Sequence, residues 1–324
     1  MVSRRQVLHA LPALAAIGMP SVAPAQSHYP ERMVRIIVGN APGGTDDVIS
    51  RLLAKTLAAE LGQSVIVENR GGGSTTIAGA HVAQSPPDGH TILCLINTGI
   101  VQPVLRQKLG YRLNSFAPII GVGGFPLCLA VSTVSKITSI DDLKSLAASP
   151  QGIKYSSGGV GTMAHLNSVR FLKAIRGTGL NIPYRNNVEG LSGLMAGDTQ
   201  MMFASESEVA ALRPGGKIRA LAMTSSKRAA SMPDVPTTAE LGFPTIDTLL
   251  WHGFVAPAGT PPAIVARLAE SIAKGVKDPE FGNALKPLGF VEDIRTGEPL
   301  DAFINSEAAR WREVIVENNI KVDD

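Results

Sequence analysis

Val34-Arg35-Ile36-Ile37-Val38 leads into Asn40-Ala41-Pro42-Gly43-Gly44-Thr45-Asp46-Asp47, and an apolar-periodic stretch then runs to Leu61. Farther along, Ile153-Lys154-Tyr155 leads into Ser156-Ser157-Gly158-Gly159-Val160-Gly161-Thr162, followed by a helical stretch from Met163 to near Ala174. In both places apolar, partly β-branched residues read as a buried strand, the glycines as a tight turn, and the periodic stretch as a helix. Repeated strand–turn–helix units predict an α/β fold with helices packed on largely parallel sheets. Ligands in such folds sit outside the carboxyl ends of strands, where both turns fall. Each turn should present backbone N–H groups at the positive end of a helix dipole, which is a ready-made anion site. Two such turns predict two lobes that close on one small anion.

Other segments follow the same alternation. Strands are expected over Val34–Val38, 64–67, Thr91–Ile96, 127–131, 182–184, 201–203 and 220–223. The helix after the first turn should place Val48, Leu52, Leu53, Leu57 and Leu61 on one side and stop at Gly62. Thr45, Asp46 or Asp47 should cap it. Further helices are expected over 77–83, over 140–148 with Ser139 as N-cap, over 262–274 and over 299–318.

The first 25 residues read as an export signal. Ser3-Arg4-Arg5-Gln6-Val7-Leu8 sets paired arginines ahead of an apolar run over 8–22, and Ala23-Pro24-Ala25 supplies small residues for cleavage. The run is too short, and too broken by Pro12, Gly18 and Pro20, to span a membrane. It fits a twin-arginine signal cut after Ala25, or a Sec signal with an incidental Arg-Arg pair. Either places a soluble mature chain in the periplasm. The rest is globular in composition, 44% hydrophobic and 18% charged. Formal charge is only +3, and 5% of residues are aromatic; no basic block is interleaved with aromatics, which argues against a nucleic-acid partner. Cys94 and Cys128 lie in apolar, strand-like runs and are expected as buried free thiols. His28, His81, His90, His165 and His252 show no metal-ligand spacing, so neither a metal nor a cofactor is expected.

Many short segments, in order along the mature chain, carry a family resemblance. They include Tyr29-Pro30, Pro42-Gly43-Gly44-x-x-Asp47-x-x-x-Arg51, Val67-Glu68-Asn69-Arg70, Pro87-Asp88-Gly89 and Phe116-Ala117-Pro118-Ile119. They continue with Tyr155-x-Ser157-x-Gly159-x-Gly161-Thr162-x-x-His165-Leu166, Pro183-Tyr184, Arg219-Ala220-Leu221-Ala222, Pro233-Asp234-Val235-Pro236-Thr237, Trp251-x-Gly253 and Ala256-Pro257-Ala258-Gly259-Thr260-Pro261. Together these resemble the Bug-type substrate-binding proteins, the solute receptors of tripartite tricarboxylate transporters. The resemblance implies a two-lobed periplasmic-binding-protein (Venus flytrap) fold, type II-like, with two interlobe crossings. Lobe one would hold 29–125 plus 251–324, and lobe two 126–250. It also implies a monomer that binds a small carboxylate in the cleft and delivers it to a membrane permease.

Against that frame, the ligand-binding candidates are Gly43, Gly44 and Thr45 in the first turn, and Ser157, Gly161 and Thr162 in the second. Asp47 is assigned a structural role, because a bare carboxylate beside an anion repels it. His165 reads as a packed side chain or a ligand donor, and Thr98 as a hydroxyl donor. Trp251 is placed at the lobe crossing, packed on a hinge or walling the cleft. Three departures from the family pattern bear on specificity. Gly71-Gly72-Gly73-Ser74-Thr75-Thr76 brings hydroxyls and bulk where relatives have Gly-Gly-Asn. Asn186 and Asn187 bring two amides after Arg185. Ala204-Ser205 replaces a frequent Asp, which counts against an amino-acid ligand and makes Ser205 a further candidate. A dicarboxylate or an aromatic monocarboxylate is favoured.

An enzyme is the rival reading. Gly159-Val160-Gly161-Thr162-Met163-Ala164 fits a dinucleotide fingerprint, and an exported NAD(P)-dependent oxidoreductase would use Gly159, Gly161 and Ala164. The acidic residue that should follow ~20 positions on is absent; Tyr184-Arg185 stands there. No G-x-S-x-G, P-loop or H-E-x-x-H occurs, and Ser156 and Ser157 near His165 lack an evident orienting acid. No catalytic activity is expected. A periplasmic sensor for a signalling partner would share the same fold and site.

Overall fold

The structure, a computed structural model, describes residues 29–322; the export signal read over 1–25 lies outside them. In chain order the elements are β1 (Val34–Val38), α1 (Thr45–Leu61), β2 (Val65–Asn69), α2 (Thr76–Ala83), β3 (Thr91–Ile96), α3 (Asn97–Leu105), β4 (Phe116–Ser132) and α4 (Ile140–Ala147). There follow β5 (Ile153–Ser157), α5 (Met163–Ala174), β6 (Gly179–Pro183), α6 (Asn187–Ala196), β7 (Met201–Ser205), α7 (Glu206–Leu212) and β8 (Ile218–Met223). The chain ends with β9 (Leu249–Pro257), α8 (Pro262–Lys277), α9 (Pro279–Leu285), β10 (Val291–Arg295) and α10 (Gly297–Glu317).

The fold is α/β with two lobes, and β4 joins them. Its first half, Phe116 to Pro126, runs antiparallel to β9, and its second half, Leu127 to Ser132, runs antiparallel to β7 and β8. The strand order is β2-β1-β3-β9-β4-β7-β5-β6. Among the described strands, parallel pairing joins β2-β1-β3 and β6-β5-β7 while the crossing strands pair antiparallel, so the expected largely parallel sheets are in fact a mixed sheet. The strand expected over 127–131 is only the end of β4. Its first half hides because Pro118, Gly121, Gly123 and Gly124 are poor strand formers. Tertiary packing requires them: a Cβ on Gly123 would stand 2.1 Å from the Val291 carbonyl oxygen, and one on Gly124 2.1 Å from that of Leu250.

Each lobe has its own apolar core. On α1, Ile49, Leu53, Leu57 and Leu61 are buried against β1, β3 and α8. Val48 is exposed and Leu52 only half-buried, one position off the stripe expected from the sequence. The helix is turned this way because Asp46, Asp47 and Ser50 also face inward. Trp251 is buried beside Leu300 and Ile304, with its ring on Phe303 and its backbone N–H donating to Asn97 Oδ1; it packs at the crossing and does not wall the cleft. α10 spans both cores, Leu300 and Ile304 in one and Trp311, Val314 and Ile315 in the other. Cys94 and Cys128 are buried and unpaired. Ser139 caps α4 through a capping box with Asp142. Ser139→Ala should therefore cost about 1 kcal/mol, a fall of roughly 2 °C in the thermal midpoint.

Candidate functional site

A cavity lies between the lobes at the carboxyl ends of the strands. Gly44, Thr45, Asp46, Thr75 and Thr98 line one side, and Gly158, Thr162, Met163, Ala164, Asn186, Asn187 and Glu208 the other. The enclosed space is about 60 Å³, room for a handful of waters or part of one small ligand. The first turns of α1, α3, α5 and α6 all contribute to its wall. Amides in a helix's first turn have no intrahelical acceptor, so those of Thr45, Thr98, Met163, Ala164 and Val188 are the donors that helix geometry leaves over.

The glycine turns serve these helix ends without presenting all their own amides. Gly44, not Thr45, Asp46 or Asp47, is the N-cap of α1, and it caps without a side chain. The Gly43 N–H donates to Asp47 Oδ2 at 2.9 Å. Asp47 also accepts from Arg51 and from Asn69, and these donors hold its pKa below the usual value although burial opposes them. Gly43 is exposed and outside the lining. In the second turn the Gly161 N–H donates to His165 Nδ1 at 3.1 Å, and Thr162 caps α5 by accepting from the His165 N–H. His165 stacks on Tyr155, and burial lowers its pKa to about 4. It is a neutral, packed side chain. Ser157 Oγ donates to Asn181 Oδ1 at 2.8 Å, so Ser157 and His165 form no nucleophile–base pair. Ser205 caps α7, its hydroxyl donating to Glu208 Oε2 at 2.7 Å.

Among the eleven ligand candidates, Gly44, Thr45, Thr98, Thr162, Asn186 and Asn187 are therefore brought together around the cavity. Gly43, Ser157, Gly161, His165 and Ser205 stand behind it as supports. Sequence reading placed Thr98 at the site but missed α3, the helix that carries it, which begins directly at the end of β3 with no turn to announce it. It also missed Glu208 as a wall residue. Glu208 lines the wall one turn beyond Ser205; the signal was the Ser205-x-x-Glu208 capping box.

The electrostatics are uneven. Arg185 is the one cation lining the cavity among the described residues, and it is exposed. Two acids face the same space. Burial raises Asp46 to about 6 despite a hydrogen bond from Asn40 and its own backbone amides, and burial also raises Glu208. His252, buried on β9, lies 3.1 Å from Thr45 Oγ through Nε2. Burial lowers its pKa to about 3, so the ring is neutral. Thr45 Oγ and His252 Nε2 share one hydrogen bond whose donor depends on the ring tautomer, and the backbone of Leu250 and Gly123 also acts on the ring. The lobes also touch across the cleft, where Ser74 Oγ and Gln102 Nε2 donate to the Val160 carbonyl oxygen at 3.4 and 3.3 Å. No cluster suited to a metal ion is present, and no helix is long and apolar enough to cross a membrane, among the described residues.

Residues 49–320 match the family described as the tripartite tricarboxylate transporter family receptor. BugT of Bordetella pertussis is 33% identical over 95% of this chain and 96% of its own. Two solved structures are similar in both sequence and shape. Rpa4515 of Rhodopseudomonas palustris, solved with adipate, is 30% identical with a TM-score of 0.82, covering 90% of this chain and 99% of that one. MatC of the same organism, solved with malate, is 26% identical with a TM-score of 0.81, covering 89% and 100%. The chain thus belongs to the tripartite tricarboxylate transporter receptor family and is of the Bug type.

Proposed function

We propose that this receptor captures a small carboxylate between its lobes in the periplasm and delivers it to a tripartite tricarboxylate-type permease. The observation that carries the reading is the convergence of four helix N-termini and several hydroxyls on one enclosed cavity with no buried lysine or arginine in its wall. A carboxylate is costly to desolvate unless well hydrogen-bonded. Charge-assisted bonds from amides and hydroxyls meet that need, at ~1.5–3 kcal/mol each. The relatives solved with malate and adipate favour a dicarboxylate. Thr45 and Thr98 would act from lobe one, and Thr162, Asn186 and Asn187 from lobe two, with the lobes divided near 126 and 250. A ligand held from both sides stabilises the closed arrangement because only that arrangement makes both sets of contacts. No step in this account is chemical; the protein binds and closes as a monomer.

The test is thermal unfolding of residues 26–324 against mono-, di- and tricarboxylates, their amides, amino acids, and NAD and NADP. A ligand at ~100 times its dissociation constant adds ~2.7 kcal/mol, several degrees for a chain of this size. The expected result is a shift with a carboxylate and none with its amide. A shift with a dinucleotide alone would refute the reading.

A further inference from the structure

We propose that Thr75 is a ligand-contacting residue whose hydroxyl donates a hydrogen bond to the bound carboxylate; the assignment rests on the carboxylate reading above. Thr75 lines the interlobe cavity and is 8% exposed. Its backbone lies in the left-handed region with φ +71°, directly after Ser74 at +54°. Two consecutive non-glycine residues there are unusual, and a β-branched one is an outlier. Such strain persists only where the surroundings impose it, and it concentrates at ligand sites.

The hydroxyl is what makes the strain informative. Thr75 is the N-cap of α2, the position where a threonine oxygen ordinarily accepts a first-turn amide. Here the left-handed backbone denies it that bond, and no side-chain cap is made. Oγ1 is buried without any partner, although a buried hydroxyl left alone is costly. The methyl group is committed elsewhere: a Cβ on Gly39 would stand 3.0 Å from Thr75 Cγ2 and 2.7 Å from its Cβ. Glycine at 39 is thus what admits the side chain. Thr75 therefore spends conformational energy to hold an unsatisfied donor in a residue of the cavity wall; Oγ1 is covered in this arrangement, 3.5 Å from where a Cβ on Gly99 would stand, and a carboxylate oxygen that reaches it between the lobes would satisfy it. A second, smaller space of about 10 Å³ behind Thr75, beside Gly79, Gly99 and Tyr111, offers the competing explanation, a single trapped water.

The experiment titrates wild type, Thr75→Ser, Thr75→Ala and Thr75→Gly with malate and with adipate by calorimetry, alongside thermal unfolding without ligand. The hydroxyl role predicts that Thr75→Ser binds within about threefold of wild type, while Thr75→Ala and Thr75→Gly lose roughly ten- to a hundredfold. Thr75→Gly should unfold no earlier than wild type, since glycine relieves the φ strain. Affinity unchanged in Thr75→Ala and Thr75→Gly overturns the proposal and leaves the hydroxyl to the trapped water. So does a loss in Thr75→Ser as large as that in Thr75→Ala, which would make the methyl group decisive. If wild type binds neither these acids nor any other carboxylate, the carboxylate reading fails first and this assignment falls with it.

Discussion

Gly161→Val is expected to weaken carboxylate binding by roughly ten- to a hundredfold while leaving both lobes folded. Gly161 has φ +81°, and a Cβ there would stand 2.7 Å from Leu105 Cδ2 and 2.8 Å from Gln102 Nε2. The two penalties separate cleanly. The backbone strain, ~1–2 kcal/mol or more for a branched residue, falls on open and closed arrangements alike and shows as a midpoint lower by a few degrees. The clash with α3 exists only where the lobes meet, and overpacking of that kind costs ~1–3 kcal/mol. It therefore appears in affinity. Calorimetry with adipate reads the second effect and thermal unfolding the first. Adding Leu105→Ala should restore part of the lost affinity but none of the lost midpoint. Unchanged affinity in Gly161→Val would remove the second glycine turn from the closing contact.

Acidification is expected to tighten binding through Asp46. Its folded pKa is raised from 3.8 to about 6, so between those values the native chain holds a proton that the unfolded chain has released. That contribution to stability is full below the unfolded value and is lost as pH rises through about 6. Above it, a charged Asp46 also faces the arriving anion. Affinity should then fall by up to about tenfold per pH unit, approaching a hundredfold between pH 6 and about pH 8. Asp46→Asn removes the charge: its affinity should be flat over this range, and its stability at about pH 8 should exceed wild type by ~2–3 kcal/mol. His165 and His252 act with the opposite sign. Their pKa values are lowered to about 4 and about 3, so they lose stability as pH falls below the unfolded histidine value. Both are present in wild type and variant and cancel in the comparison. Parallel affinity profiles for the two proteins would exclude Asp46 from the site.

Local chemistry made the two glycine turns readable. The positive φ at Gly43, Gly159 and Gly161, the Thr162 cap and the apolar strands before each turn are all written within a few residues. The capping box at Ser139 was readable for the same reason. What stayed hidden depends on distant partners. The first half of β4 contradicts strand propensity because its glycines answer to β9 and β10. The face of α1 was misjudged because Asp46 and Asp47 are buried by hydrogen bonds that hydrophobic periodicity does not weigh. The turn amides looked free for a ligand, yet Gly43 and Gly161 spend theirs on Asp47 and His165. The resemblance carried the two-lobed architecture, which no single segment encodes. Two of the departures it exposed, at Ser74-Thr75 and at Asn186-Asn187, lie in the cavity wall.

The central claim is that a carboxylate's charge is recognised by helix ends inside the interlobe cavity. Calorimetric titration of residues 26–324 with adipate and with its diamide, at about pH 6, tests it most directly. The two share size and backbone and differ in charge. The account predicts saturable binding of adipate or a shorter dicarboxylate, with the matching diamide weaker by at least about a hundredfold, the equivalent of ~2.7 kcal/mol. Equal affinity for acid and diamide would contradict it, since the cavity would then be reading shape and not charge.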